Sequence, residues 1–175
     1  MTTNVWVPVN PYVVKQAINT FDTTQWHPYG TIVRAFHATF GQGEFIYLQG
    51  VASTAVGSLV NYVGTTGVTS LTTGSGANVA RPVAVAMSAN IVTTTYGWYQ
   101  IDGSATILKT AFKVDPAITH ATNVYLSATS GRVMQTSVAG RTVLGANFET
   151  ATTVTSTTST AVVTINRPHQ QGPIT

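Results

Sequence analysis

The sequence contains no cysteine among its 175 residues. It can form no disulfide, and thiolate catalysis, cysteine-ligated zinc and cysteine-held iron–sulfur clusters are excluded. Charge is also scarce, since 8 Lys and Arg and 5 Asp and Glu make up 7% of the residues, against about 25% in an ordinary domain. With the few carboxylates spread over different segments, we do not expect an active site built on clustered acids.

Long apolar runs are missing as well. The most apolar stretch, residues 83–92, is interrupted by Ser88 and Asn90 and is far shorter than the roughly 18 residues of a membrane-spanning segment. The first residues show no basic segment followed by an apolar run, which is the pattern of a secretory signal. We therefore expect no membrane partner and no leader peptide.

The net charge of +3 does not indicate nucleic-acid binding. Only Lys109 and Lys113 lie close together among the eight basic residues. Nucleic-acid binders concentrate Lys and Arg on one face, because neutralising phosphates drives their affinity. We expect scattered solubilising charges and no nucleic-acid partner.

Hydroxyl side chains take the place of charge, with 32 Thr and 11 Ser. The sequence is dense in Thr, Val, Tyr, Phe and Trp, which favour pleated, half-buried surfaces. Turn residues interrupt it about every ten positions, as in proteins with many short strands. We predict an all-β domain over residues 31–167, a small antiparallel β-barrel or β-sandwich.

Three stretches give the most specific strand predictions. Asp102-Gly103 lies between alternating segments and predicts a tight hairpin turn. A second hairpin is predicted to join residues 124–126 to residues 132–134. Residues 82–87 alternate Val or Met with Ala, so both faces are apolar, and we predict a strand covered on both sides.

Residues 1–30 differ from the rest and are predicted to form an extended N-terminal arm. Prolines cannot donate to a ladder, which favours an arm or an edge segment, and Asn10-Pro11 could open a short helix over residues 11–18. Residues 168–175 are predicted to be a C-terminal tail. An arm this apolar is either folded back on its own domain or docked on another surface. Its candidate interface residues, chosen because amphipathic aromatics anchor interfaces, are Trp6, Pro8, Tyr12, Trp26 and Tyr29.

The search for chemistry is mostly negative. The four histidines (His27, His37, His120 and His169) lack metal-ligand spacing, and the sequence has no nucleophile elbow, P-loop or zinc-protease motif. Glu44 and Glu149 are the only glutamates that could form a glycosidase pair. Trp98 and Tyr99 could form a sugar-stacking platform, although core aromatics explain them better. We expect no enzyme activity, no cofactor and no metal.

Several short motifs follow one another along the chain. They are the stretches 30–35, 43–48, 50–52, 83–86, 96–101 with Gly103, 124–129 with Gly131, 143–146 and 166–168. Their order and spacing resemble the head decoration (capsid cement) proteins of tailed bacteriophages. The similarity extends from about Gly30 to Pro168, and residues 1–30 fall outside the familiar pattern.

The resemblance implies a non-enzymatic β-domain that binds the outer surface of the assembled phage head and stabilises contacts between major capsid subunits. It also implies a homotrimer, made in the host cytoplasm and located in the virion. The candidate residues of the arm would then contact the capsid or neighbouring protomers, and deletion of residues 1–28 should lower capsid occupancy. The alternative is a virion-surface adhesion module that binds host glycans, through Trp98 and Tyr99.

Overall fold

A computed structural model describes residues 5–74, 79–90, 92–110, 122–149 and 159–172. Twelve strands form within these ranges, and no α-helix does. The strands are β1 (Val7–Pro8), β2 (Phe21–Asp22), β3 (Ile32–His37), β4 (Gly41–Gln49), β5 (Leu59–Tyr62), β6 (Thr69–Leu71), β7 (Val83–Ala86), β8 (Tyr96–Leu108), β9 (Thr122–Leu126), β10 (Val133–Met134), β11 (Thr142–Phe148) and β12 (Thr160–Gln170). Among the described residues, no helix is long and apolar enough to cross a membrane.

All the strands belong to one antiparallel sheet, which confirms the all-β prediction. The main path runs β1-β3-β4-β8-β12-β11-β9-β10, while β2 and β7 pair with β8, and β5 and β6 continue from β7. The sheet does not close on itself, so no barrel forms, and of the two predicted architectures a β-sandwich-like arrangement is the compatible one.

Strand β8 is central to the sheet and pairs with four other strands. Along one edge it pairs with β4, and along the other it pairs in turn with β2, β7 and β12. The hairpin predicted at Asp102-Gly103 is therefore wrong, because both residues lie inside this continuous strand, with β4 on one side and β12 on the other.

A bulge explains why a turn-like dipeptide occurs inside a strand. Gly103 has a φ of 93°, and a Cβ there would lie 2.4 Å from the carbonyl oxygen of Gln42. The register with β4 also shifts beside it. The Gln100 amide donates to the carbonyls of Asp102 and Ser104 at 3.0 and 2.9 Å, so a side chain stabilises the irregular backbone.

Two other strand predictions are confirmed. Strands β9 and β10 form the second hairpin, with Leu126 opposite Val133. Strand β7 is buried on both faces: Val83 and Val85 face one core cluster, while its alanines face another.

The described residues form three core clusters. The aliphatic core joins β5, β7, β9–β12 and the second half of β8, and consists of Leu59, Val83, Val85, Ala105, Ile107, Val124, Leu126, Val133, Val143, Ala146, Phe148, Ala161, Val163 and Ile165. The aromatic core joins the N-terminal segment to β3, β4 and the start of β8, and consists of Trp6, Ile18, Val33, Ala35, Phe45, Tyr47 and Trp98. A third cluster lies between β4, β5, β7 and β8.

The described part of residues 1–30 folds back on the domain, which is the first of the two alternatives left open by the sequence. Trp6 and Ile18 are both buried in the aromatic core, and β1 pairs with β3 through Val7 opposite Phe36. This segment covers one face of β3, β4 and β8.

The short helix predicted over residues 11–18 does not form. The side-chain oxygen of Asn10 accepts the N–H of Tyr12 at 3.3 Å. The backbone carbonyl of Asn10 accepts the N–H of Val13, and the two bonds together make a turn. Farther along, Gln16 and Ile18 are both buried. Residues two positions apart lie on different faces of a helix, so a helix could not bury both against the same sheet. Packing against the sheet has therefore replaced helical hydrogen bonds.

The predicted C-terminal tail also needs correction. Strand β12 continues to Gln170, with His169 opposite Leu144 on β11 and bridged to Pro82 on its other side. Ladder partners on both sides order these residues, although Pro168 itself donates no hydrogen bond.

Candidate interaction surface

The inner face of the N-terminal segment is held by aromatic contacts. The Trp6 ring lies 5.1 Å from His37 and 4.8 Å from Phe45, measured between ring centroids. It lies directly over Gly43, where a Cβ would be 3.1 Å from the indole. Glycine at this position of β4 therefore lets Trp6 approach the sheet closely.

Polar side chains fix the middle of the segment. The Trp98 indole N–H donates to the carbonyl of Gln16 at 2.9 Å, and the Tyr47 hydroxyl donates to the Gln16 side-chain oxygen at 2.8 Å. The Gln16 amide donates in turn to the carbonyls of Thr20 and Tyr96. One buried glutamine thus connects the segment to β4 and β8.

The outer face of the same region leaves an apolar strip exposed. Strand β3 alternates between exposed and buried positions, with Ile32 and Phe36 on the exposed side. Val7 lies opposite Phe36, and the N–H of Val9 donates to the carbonyl of Arg34 at 2.9 Å. We define the outer apolar strip as the exposed side chains Val7, Val9, Val13, Ile32 and Phe36.

A shallow groove of about 240 Å³ lies along this strip, between the Asn10 turn and β3. Tyr12 stands at the tip of that turn and is 96% exposed. A contiguous exposed apolar patch on a soluble protein commonly marks an interaction site. The strip and Tyr12 together form the candidate surface.

Charges lie beside the strip. Glu44 is opposite Arg34 across the β3–β4 ladder, accepts from its Nε at 2.9 Å and from Arg167 Nη2 at 2.5 Å. The hydrogen bond from Arg34 is the main reason why the pKa of Glu44 lies below its usual value, with the Arg167 charge adding to the effect. Both arginine side chains remain more than half exposed and can contact another surface.

The structure does not bring the five predicted interface residues together. Trp6 is buried and offers no contact surface, which corrects its assignment, and Pro8 is half-buried in β1. Trp26 is 44% exposed, and the half-buried Tyr29 stacks on Tyr96. Trp6 lies over Gly43 and Tyr29 bonds to Gln49, so these two are at opposite ends of β4, roughly 20 Å apart at strand rise. Only Tyr12 adjoins the outer apolar strip.

The proposed sugar platform is not available as a surface. Trp98 and Tyr99 are both buried, and burial raises the pKa of the Tyr99 phenol to about 12. This supports their interpretation as core aromatics.

The two glutamates have separate partners. Glu44 binds the two arginines, whereas Glu149 accepts from the hydroxyls of Ser104 and Thr164 at 2.5 and 3.0 Å. Among the described residues, no group of three His, Asp or Glu side chains could hold a metal ion, and His120 lies outside them.

Sequence reasoning missed the strip itself. In residues 32–37 one alternating set is Ile32, Arg34 and Phe36 and the other is Val33, Ala35 and His37, and each contains two apolar residues. Such a pattern predicts a strand without showing which face is covered. The alternation of Val7 and Val9 with Trp6 and Pro8 could have indicated that the two valines share a face opposite to that of Trp6.

The chain was compared with known proteins by family, by sequence and by structure. No family model, curated protein or solved structure matches it.

Proposed function

We propose that this chain is a structural protein of a tailed-phage head, a decoration protein that binds the outer surface of the assembled capsid. The observation that carries the proposal is the outer apolar strip, which the described residues leave uncovered beside two exposed arginines. The order of motifs along the chain, which resembles capsid cement proteins, supplies the identity of the partner.

The strip suits such a role physically. Val7, Ile32 and Phe36 of the strip lie on paired strands that the aromatic core holds in place, so these residues lose little conformational entropy when a partner covers them. The partner in this proposal is the major capsid protein, and the chain acts as a homotrimer without catalysis. Symmetric repetition makes modest single contacts sufficient, because each further contact is intramolecular.

Point variants test this better than a deletion does. Removing residues 1–28 would take Trp6, Gln16 and Ile18 out of the aromatic core, so lost binding could simply reflect misfolding. The double variant Val9→Asp/Phe36→Asp instead places charge on two exposed positions of the strip. The matched control is Val92→Asp, at a valine that is 49% exposed elsewhere.

The measurement is occupancy on expanded capsids of the same phage that lack this chain, by co-sedimentation and cryo-EM. Wild type and the control should decorate the shell, and the strip variant should bind at least about tenfold more weakly, the equivalent of 1.4 kcal/mol. If wild-type protein does not bind the capsid, the proposed function is wrong. If the strip variant binds with full occupancy, the assigned binding surface is wrong.

A further inference from the structure

A buried histidine holds the N-terminal segment by accepting a backbone hydrogen bond. His27 Nε2 accepts the N–H of Lys15 at 3.3 Å. A ring nitrogen can accept only when it carries no proton. The His27 ring therefore has to be neutral for this bond to exist.

The His27 ring also lies within the aromatic contacts that attach the segment to the sheet. It packs against Tyr47 and Trp98 at centroid distances of 5.0 and 5.1 Å. Protonation would place charge inside this cluster and break the backbone bond at the same time. Burying an unpaired charge is costly, so acid favours a state in which the ring reaches water.

We infer that His27 forms a pH-sensitive latch, which keeps the N-terminal segment on the sheet near neutral pH and releases it in acid. The latch does not depend on capsid binding. Release also disorders Val7, Val9 and Val13, the three residues of the outer apolar strip that belong to the segment.

The groups around the ring favour its neutral form. His27 faces Lys15 from its own segment, the Tyr47 phenol from β4 and the Trp98 indole from β8. Burial, helped by the Lys15 charge, lowers the pKa of His27 below the ordinary 6.5. The Asp22 carboxylate, which interacts with Tyr47, accepts the Trp26 indole N–H at 2.9 Å.

The sign of the pH effect follows from linkage. When the closed state binds fewer protons than the open one, the closed state loses stability as the pH falls below the histidine value of 6.5. Between pH 7 and pH 5, opening should increase by up to roughly 25-fold for each histidine that the closed state keeps neutral.

Hydrogen exchange with mass spectrometry at pH 7 and pH 5, corrected for intrinsic exchange rates, tests the latch. In wild type, residues 5–30 should lose protection at pH 5, while residues 122–149 and 159–172 keep theirs. The variant His27→Gln supplies an acceptor that does not titrate, so it should hold the segment at both pH values. The control His169→Gln, at an exposed histidine, should behave as wild type.

Wild type decides the matter even where the variant fails to fold. Equal protection of residues 5–30 at both pH values overturns the latch, and so does simultaneous loss across all strands, which would be global acid unfolding. A folded His27→Gln variant with the wild-type pH dependence overturns it as well.

Discussion

The aliphatic and aromatic cores hold the same sheet by different means. The aliphatic core contains one aromatic ring, Phe148, and its side chains come from strands that pair with their neighbours along their length. The aromatic core contains two Trp, one Phe and one Tyr, and two of its residues, Trp6 and Ile18, belong to a segment with almost no regular backbone structure. There, side-chain hydrogen bonds from Gln16, Tyr47 and Trp98 do what ladder bonds do elsewhere.

The difference shows what a chain without regular structure needs in order to pack. Buried backbone groups have to find partners, and strands find them in each other. The N-terminal segment finds them in side chains, so each of its contacts is directional and individually important. We therefore expect single substitutions to cost more in the aromatic core than in the aliphatic core.

The largest effect is expected for Trp98→Ala. It removes a fully buried indole, which costs about 3–5 kcal/mol, and leaves the Gln16 carbonyl without its donor, which adds about 1–3 kcal/mol. In the aliphatic core, Ile165→Val should cost only about 0.5–1.5 kcal/mol. Urea unfolding followed by circular dichroism gives both values, and a Trp98→Ala cost below 2 kcal/mol would remove the contrast.

The next effect concerns the bulge where β8 passes from one core to the other. Gly103→Ala adds a Cβ 2.4 Å from a backbone oxygen, whereas Gly41→Ala has a similar positive φ but nothing within 4 Å. Left-handed backbone alone costs about 1–2 kcal/mol for alanine. Gly41→Ala should show that cost, and Gly103→Ala should exceed it by at least about 1 kcal/mol of backbone strain. Equal unfolding free energies would contradict the close approach.

A smaller effect is expected for Tyr47→Phe, in the aromatic core. This variant keeps the buried ring but removes the hydroxyl, which donates to the Gln16 side chain and accepts the backbone N–H of Trp26 at 3.2 Å. Leaving buried partners unsatisfied costs about 1–3 kcal/mol. Protection of residues 15–27 in hydrogen exchange should fall more than protection of β12. A uniform loss of protection would show that the segment is not held locally.

The smallest effect is expected at the surface, for Glu44→Gln. The two arginines lower the pKa of Glu44, so this carboxylate contributes stability above its ordinary value of 4.5, and the contribution is lost as the pH falls. Because both arginines are largely exposed, the loss at pH 7 should be about 1 kcal/mol or less. The variant should unfold like wild type near pH 3, and a difference that persists there would point to packing instead of charge.

The sequence predicted several strands around the aliphatic core. Strands β7, β9 and β10 lie close to their expected positions, because their alternation or turn residues reflect local chemistry. Tight turns and positive-φ bulges favour the same residues, however, so Asp102-Gly103 gave the wrong prediction. The contacts that decide between them come from β4 and β12, which are distant in sequence.

The N-terminal segment could not be placed from its own residues. Its proline and aromatic content indicated an irregular, apolar chain, but which rings face inward depends on partners such as His37, Phe45 and Trp98. The outer apolar strip escaped prediction for the same reason. Exposure is a property of the assembled sheet, and both faces of β3 are apolar enough to be core.

The central position of β8 has a consequence during synthesis. Residues 102–108 of β8 pair with residues 160–166 of β12, which is made after every other described strand. Until β12 leaves the ribosome, one edge of this part of β8 lacks its ladder partner, and unpaired edges invite association between nascent chains. Pairing over so long a separation is also slow. The yield of folded protein should therefore depend on how quickly translation proceeds through the threonine-rich residues 150–160.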